Sequence, residues 1–170
     1  MSANERIDEI AHEAVEKEEK NEGGQKLLNF FVNGRLYAVS IENVSEIIGI
    51  QDITLVPHSP DYVKGVTNIR GKVIPLVELR ARFGNPSVEY DDRTCIIIIE
   101  QDELVIGYII DEISDVFTMS PTDVIETAPE SEEASRFIKG MIRTANGVAL
   151  ILDIDKVAGI DDGDDDIIQI

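Results

Sequence analysis

From Leu27 onward the chain alternates apolar and polar positions in short runs, and each run is closed by glycine, asparagine or proline. A period of two marks strands, and breakers at this spacing mark turns between them. LLNFFV, Asn33-Gly34 and RLYAVSI predict a hairpin, because Asn-Gly suits a tight two-residue turn. IENVSEIIGI continues as a short turn and a strand. LVPHSP is a loop, since two prolines within four residues prevent regular structure. YVKGVTNIRGKVIPLVELRARFG (62–84) predicts a second hairpin, with Asn68-Ile69-Arg70-Gly71 at its tip and a short helix closing on Gly84. TCIIIIEQ and ELVIGYII predict a strand pair around Gln101-Asp102, and DEISDVFTMS extends it. PTDVIETAPESEEAS is a Pro- and acid-rich loop with room for one helical turn. RFIKGMIRTANGVALILDIDKVAG adds a last hairpin and a last short helix.

Ahead of Leu27 the period changes. Ile7, Ile10, Ala11, Ala14 and Val15 fall on one face of a helix over residues 2–20, and Ser2 with Glu5 fits a capping box. The apolar stripe is narrow, and Gly23-Gly24 ends the segment. The helix is expected to dock weakly or fray.

The strand pattern repeats. A shift of 75 residues lays 62–84 on FIKGMIRTANGVALILDIDKVAG (137–159) without a gap. Lys64 meets Lys139, Gly65 meets Gly140, Val73 meets Val148, Glu78 meets Asp153 and Gly84 meets Gly159. A shift of 69 lays AVSIENVSEII (38–48) on GYIIDEISDVF (107–117), so that Ser45 meets Ser114 and Glu46 meets Asp115. Two matches in the same order at nearly the same offset indicate a duplicated unit. The fold predicted is all-β: two five-stranded barrels around a shared hydrophobic core, roughly 27–84 and 93–159, with short peripheral helices and an N-terminal helix. Residues 1–24 form an acidic helix and linker, 25–160 the folded domain and 161–170 an acidic tail.

The copies differ at one tip. Arg70, with Pro57, Pro60 and Pro75 around it, has no counterpart in the second copy, where the tip reads Arg143-Thr144-Ala145-Asn146-Gly147. A barrel needs neither the arginine nor the prolines, so the first tip is expected to carry a task of its own. Arg70 as a plain surface cation beside a glutamate stands as the alternative. Lys64 and Lys139, matched across copies, are expected to share a structural role. Glu78 and Asp153 are expected at helix N-termini, where the macrodipole favours a carboxylate.

Charge then narrows the partners. The chain of 170 residues has 34 acids against 15 bases, a net charge of −19. Residues 1–22 and 161–170 each carry −5, which leaves −9 on the body. Nucleic acid and anionic membrane surfaces repel such a protein. High-salt adaptation is a second reading of the same acidity. No apolar run approaches the ~20 residues of a membrane span, and no signal peptide is recognisable, so the expected location is the cytoplasm. The single cysteine, Cys95, lies in an apolar strand and is expected to be a buried hydrophobe.

A catalytic set does not emerge. His12 and His58 have no nucleophile at motif spacing, and Walker and dinucleotide fingerprints are missing from the sequence. Zinc would need a cluster of ligands that two histidines and one cysteine cannot supply. The Asp161–Asp166 run breaks the order of a calcium loop, because its glycine comes early and no glutamate follows. No metal, cofactor or enzymatic activity is expected.

The run LVPHSPDYVKGVTNIRGKVIPLVELRARFG (55–84) closely resembles the signature of the CheW family of chemotaxis coupling proteins. VSIENVSEIIG, VIGYIIDEISDV and GMIRTANGVALILDIDKV are similar to the family's pattern and follow its order, and the resemblance spans about 27–159. It implies a pair of five-stranded SH3-like barrels around a common core. It further implies a non-catalytic adaptor that bridges the cytoplasmic tips of chemoreceptors to the regulatory domain of the histidine kinase CheA. The receptor tip would lie in a groove between the barrels. Arg70, Asn68 and Glu46 match the receptor-binding positions, and Leu28, Ile41 and Val44 match the kinase-binding ones. The acidic N-terminal helix and the Asp-rich tail depart from the compact family domain. The match includes no receiver domain, which disfavours the CheV type, and no phosphotransfer or ATP-binding region. A CheW-like paralogue serving another receptor–kinase array is the alternative reading. A metal-binding or hydrolytic protein that uses the acidic residues is a more distant one.

Overall fold

The computed structural model describes residues 5, 7–10, 12, 24–125 and 136–159. The expected tail over 161–170 lies outside these residues, as does most of the Pro- and acid-rich loop. Residues 5, 7–10 and 12 are helical and are called α1 here.

The first hairpin joins β1 (Gln25–Val32) to β2 (Arg35–Ser40), and Asn33 and Gly34 both take positive φ between them. A 3₁₀ turn over Ile41–Asn43 leads into β3 (Val44–Gly49). The second hairpin joins β4 (Val63–Ile69) to β5 (Lys72–Glu78) and runs on into α2 (Leu79–Arg82). The third joins β6 (Cys95–Gln101) to β7 (Leu104–Ile110). β8 (Glu112–Met119), a 3₁₀ turn and the two-residue β9 (Val124–Ile125) follow. β10 (Ile138–Thr144), β11 (Gly147–Leu152) and α3 (Ile154–Ala158) complete the described chain.

The strands form two sheets, ordered β8-β1-β2-β11-β10-β9 and β3-β6-β7-β5-β4. The architecture is the expected all-β pair with few and short helices, but the barrels are not consecutive halves of the chain. The boundaries 27–84 and 93–159 describe the repeat, not the barrels. Each repeat begins with a hairpin, β1–β2 or β6–β7, and each hairpin joins the sheet of the other copy. The pairing is symmetric to the residue. Leu28 faces Val116 in one sheet, and the equivalent Ile97 faces Ile47 in the other. Ala38 faces Ile151 in a parallel pairing, and the equivalent Gly107 faces Leu76. Sequence periodicity reports which residues face inward, whereas the exchange depends on which edge each hairpin finds.

Three apolar clusters explain the density of isoleucine. Leu27, Leu36, Ala38, Ile142 and Ala149 fill one barrel, and Ile74, Leu76, Ile96, Ile98 and Ile109 fill the other. A larger cluster between them draws on both sheets and includes Leu28, Phe30, Tyr37, Val77, Ile97, Ile99, Tyr108, Phe137 and Val157. Ile96 and Ile98 face their own barrel while Ile97 and Ile99 face the shared core. Both faces of β6 are therefore buried, and its apolar run is unbroken. Ile7 and Ile10 of α1 join the shared cluster at 5% and 7% exposure.

Register shifts fall at matching places in the copies. One lies between Val63 and Gly65 and its counterpart between Ile138 and Gly140, so Lys64 and Lys139 occupy bulges. The shared role expected of these lysines is a bend in the strand. At Gly65 the backbone of Thr54 runs alongside; a Cβ there would stand 2.1 Å from the Thr54 carbonyl oxygen. Thr54 and Val66 exchange backbone hydrogen bonds of 2.8 and 2.9 Å, which lays the proline loop along the outer edge of β4.

Glu78 and Asp153 both precede their helices. The Asp153 carboxylate accepts from the Lys156 amide at 3.3 Å, as a cap should. Glu78 does otherwise: it is buried and accepts from Ser87 Oγ and Tyr90 OH, pinning the connector between the copies. Cys95 is fully buried, and burial pushes its thiol up to about 12.

Candidate functional site

The tip of the β4–β5 hairpin places Arg70 and Gly71 at the two turn positions, both with positive φ. This is the primed-turn arrangement that matches strand twist. Arg70 accepts a conformation that arginine seldom adopts, and the turn aims its side chain out of the sheet. The Asn68 carboxamide oxygen accepts from the Gly71 amide at 2.9 Å and holds the turn. The geometry thus brings Asn68 to Arg70 as a shaper of the tip.

Arg70 meets Glu46 in a two-pronged ion pair. Nη1 donates to Oε2 at 2.8 Å, and Nη2 donates to Oε1. The side chains are 74% and 26% exposed. The hydrogen bond and charge of Glu46 raise the already high guanidinium pKa. β3, which carries Glu46, is one edge of its sheet, and β4 is the other. The pair therefore joins opposite edges of one sheet, the seam at which the barrel closes. The plain ion-pair reading of Arg70 and the functional reading thus concern a single arrangement: a bidentate bond fixes the guanidinium, and its outer face stays in solvent.

The second barrel closes its seam differently. Asn146 Nδ2 donates to Ser114 Oγ at 3.3 Å. Ala145 stands where the first copy has Arg70. Asp115, the counterpart of Glu46, accepts from Asn29 Nδ2 at 3.1 Å. Only the first seam, among the described residues, carries a charged pair.

Two exposed apolar side chains lie on this hairpin and along its outer edge. Val73 faces Asn68 across the hairpin and is 63% exposed, and Leu55, beside the bridge from Thr54 to Val66, is 81% exposed. The sequence reading missed both. Ile74 and Leu76 face inward, so strand alternation turns Val73 outward. Val148 is likewise exposed, at 48%.

The positions matched to kinase binding divide. Leu28 is fully buried in the shared core, and Ile41 is buried at 7% exposure. Neither side chain is exposed at the surface. Both faces of β1 are covered, with Leu27 in one barrel's cluster and Leu28 in the shared core, which Ile41 joins from the turn after β2. Val44, half-buried at the start of β3, remains accessible.

Two further contacts hold the barrels together. Arg80 Nε donates to both Asp111 carboxylate oxygens at 2.9 Å, and Asp111 accepts from the Asn33 amide at 2.8 Å. Asp111 lies where β7 of one sheet passes into β8 of the other, beside a cleft of about 400 Å³ that mixes both charges. Arg82 lies deeper. Its Nε donates to the Val157 carbonyl at 2.9 Å and one Nη to that of Lys156 at 3.3 Å, at the end of α3. Its guanidinium carbon stands 4.2 Å from the Tyr62 ring centre and 4.9 Å from that of Phe137. Tyr62 and Phe137 are equivalent residues of the two copies, so this arginine lies between matched positions and ties one repeat to the other.

Among the described residues no group of three or more His, Cys, Asp or Glu side chains is placed to hold a metal ion. Nor is any described helix long and apolar enough to cross a membrane.

Comparison with known proteins agrees with this fold. The family model described as CheW-like domain matches residues 26–161. "Chemotaxis protein CheW" of Bacillus subtilis (strain 168) is 38% identical over 136 residues, covering 79% of this chain and 86% of the relative. The protein of the same name from Klebsiella aerogenes is 32% identical over 136 residues, covering 79% and 81%. The crystal structure of the scaffolding protein TtCheW from Thermoanaerobacter tengcongensis superposes with a TM-score of 0.72 at 26% identity, covering 79% of this chain and 88% of that one.

Proposed function

This chain belongs to the CheW-like domain family, and from that premise we propose that it is a non-catalytic adaptor coupling chemoreceptors to the histidine kinase CheA in chemotaxis signalling. It acts in the cytoplasm, at receptor arrays on the membrane, and inserts nothing into the bilayer. The observation that carries the reading is the Arg70–Glu46 pair. It places an oriented, exposed guanidinium at a barrel seam, with the exposed side chain of Val73 on the same hairpin. A charged anchor beside apolar contacts is a common build of a protein-binding hot spot.

In this proposal the receptor's cytoplasmic tip contacts Arg70 and Glu46, and Asn68 holds the turn that presents them. The kinase's regulatory domain docks on the apolar surface of the other face, with Val44 as the accessible contact and Leu28 and Ile41 as the packing beneath it. Two surfaces on one small body bring two partners into register, and clustering of both partners raises their effective concentration. Control of the kinase requires unequal affinity for its active and inactive arrangements, because an indifferent scaffold shifts nothing.

The test is reconstitution: this protein, a receptor signalling-tip fragment and the CheA regulatory domain from the same cell. A ternary complex that forms only when all three are present together supports the adaptor reading. Binding of neither partner at tens of micromolar overturns it.

A further inference from the structure

The two copies differ inside their barrels as well as at their tips. Asn29 stands where the second copy has Ile98, and Ser40 stands where it has Ile109. The isoleucines belong to the apolar cluster of their barrel. Asn29 and Ser40 are as deeply enclosed, at 0% and 8% exposure, yet Asn29 Oδ1 and Ser40 Oγ have no hydrogen-bond partner in the protein. Buried polar atoms without partners are rare, because they forgo the bonds that water would give them.

The two atoms converge. Asn29 Nδ2 donates to Asp115 Oδ1 at 3.1 Å. A carboxylate takes only the donor end of an amide, so Oδ1 is turned the other way, into the barrel. Ser40 is the cap residue of the 3₁₀ turn Ile41–Asn43, but its hydroxyl makes no capping bond. Leu27 faces Ser40 and Asn29 faces Ala38 in the β1–β2 register. Asn29 and Ser40 are therefore diagonal neighbours on one face of the hairpin, about 7–8 Å apart at the backbone. That spacing suits a single bridging group between two short side chains.

We propose that this barrel holds one buried water molecule, which donates to Asn29 Oδ1 and accepts from the Ser40 hydroxyl. Ser40 is much smaller than the isoleucine of the other copy, and the Ala38 methyl, which Gly107 lacks, fills only part of the space. A water both donates and accepts, as this mismatched pair requires. A cation of the calcium type would need about six oxygen ligands, and the cluster around the site is aliphatic: Leu27, Leu36, Ala38, Ile142 and Ala149.

The site completes the second seam from within. Asp115 also accepts from Ser114 Oγ at 3.1 Å, and Ser114 Oγ accepts from Asn146 Nδ2 at 3.3 Å. The water is the inner end of a hydrogen-bonded run from the second tip to the turn that opens β3, the strand of Val44 and Glu46. In the other barrel Glu46, the equivalent of Asp115, turns outward to Arg70, and Ile98 opposite it is apolar. One seam is closed by charge at the surface, the other by a polar run that reaches the interior.

The test uses the full chain in solution, with laboratory-frame and rotating-frame water–protein Overhauser spectra. A long-lived water should give cross-peaks to the Asn29 side-chain amide and the Ala38 methyl. Ser40→Ala removes one partner and should weaken those cross-peaks at least about fivefold while lowering the melting temperature by about 3 °C or more. Ser40→Thr keeps the hydroxyl and should keep the cross-peaks. Their loss in both variants would show that packing, not the hydroxyl, holds the water, and would overturn the bridge. Absence of the cross-peaks from wild type overturns the proposal, as does their persistence in Ser40→Ala. A melting temperature that rises with sodium in place of choline at fixed ionic strength would assign the site to a cation and overturn it too. No receptor or kinase enters these measurements, so their outcome is separate from that of the adaptor reading.

Discussion

Arg70 and Glu46 sit on opposite edges of one sheet and close its barrel through a two-pronged ion pair. Seam and binding anchor are therefore one feature, and a single substitution disturbs both. Charge exchange separates them. Arg70→Glu alone places two carboxylates together and should lower both the melting temperature and receptor affinity, the latter roughly tenfold or more. Arg70→Glu with Glu46→Arg restores the pair with its polarity reversed. The double variant is expected to recover its melting temperature while receptor affinity stays low. Recovery of both would show that the partner needs only a closed barrel.

The division among the kinase-matched positions gives a second expectation. Leu28 is wholly enclosed, so Leu28→Ala should cost about 3 kcal/mol of stability through the cavity it leaves. Any loss of kinase binding should track the unfolded fraction in urea titrations. Val44→Asp, at a half-buried position, should weaken kinase binding with a smaller loss of stability. A Leu28→Ala protein that is fully folded, melts like wild type and yet fails to bind kinase would return Leu28 to the contact surface.

Much of this arrangement was legible in the sequence, for identifiable reasons. Asn33-Gly34 and Arg70-Gly71 fix hairpins because few residues tolerate two positive φ values in succession. Lys64 and Lys139 announced a shared position, and the register shows that position to be a bulge. Glu46 and Arg70 were named together from the family pattern, but nothing local in either segment says that they touch. Their contact is made when a sheet closes on itself. Hairpin exchange was hidden for a related reason. Leu28 has an apolar neighbour on either side of the sheet whichever copy it joins, so its pattern is the same in both topologies. The match of Val73 with Val148 does not say which face the pair takes; alternation with Ile74 puts Val73 outside.

Gly65 provides a third prediction, on the approach to the tip. Its φ is +142°, and a methyl group would meet the Thr54 carbonyl rather than a movable side chain. Gly65→Ala should cost about 3 kcal/mol or more, since strain and steric overlap act together. Gly71→Ala, also at positive φ but with open space around the position, should cost less. Comparison of the two urea midpoints checks the ranking.

Arg82 is expected to outrank both surface ion pairs in stability. Its guanidinium is buried, donates to two carbonyls at the end of α3 and lies over two aromatic rings. Arg82→Ala leaves the buried Val157 carbonyl without this donor, while the Lys156 carbonyl keeps the Gly159 amide, and removes the packing over two rings, at a cost of about 3 kcal/mol. Arg82→Lys keeps the charge but loses the planar fork that reaches both carbonyls, and should recover less than half of that. Arg93→Ala, at an exposed pair with Asp91, should barely move the urea midpoint.

Alkaline pH should lower the stability of the whole fold, beginning with the ionisation of Cys95 in the unfolded chain. Burial raises this thiol from 9.0 to about 12, and burial also raises Tyr37 and Tyr108 above their ordinary value. Tyr90 is raised by burial and by its hydrogen bond to Glu78. In each case the native structure holds the neutral, protonated form, and the unfolded chain ionises first. The stabilisation is complete below pH 9 and is lost as pH climbs from 9 through about 12. Between pH 9 and 10 the thiol ionises in the unfolded chain before the tyrosines do, and one proton limits the slope to about 1.4 kcal/mol per pH unit. The Cys95→Ala variant loses some packing at every pH, but its stability should fall less steeply over that interval than that of the wild type. Above pH 10 the tyrosines add to the slope of both proteins, and the wild type keeps falling more steeply than the variant until its native thiol ionises near pH 12. Urea midpoints of the two proteins at half-unit steps from pH 7 to 11 measure this difference. Identical slopes between pH 9 and 10 would mean that the Cys95 thiol ionises as readily in the native structure as in the unfolded chain.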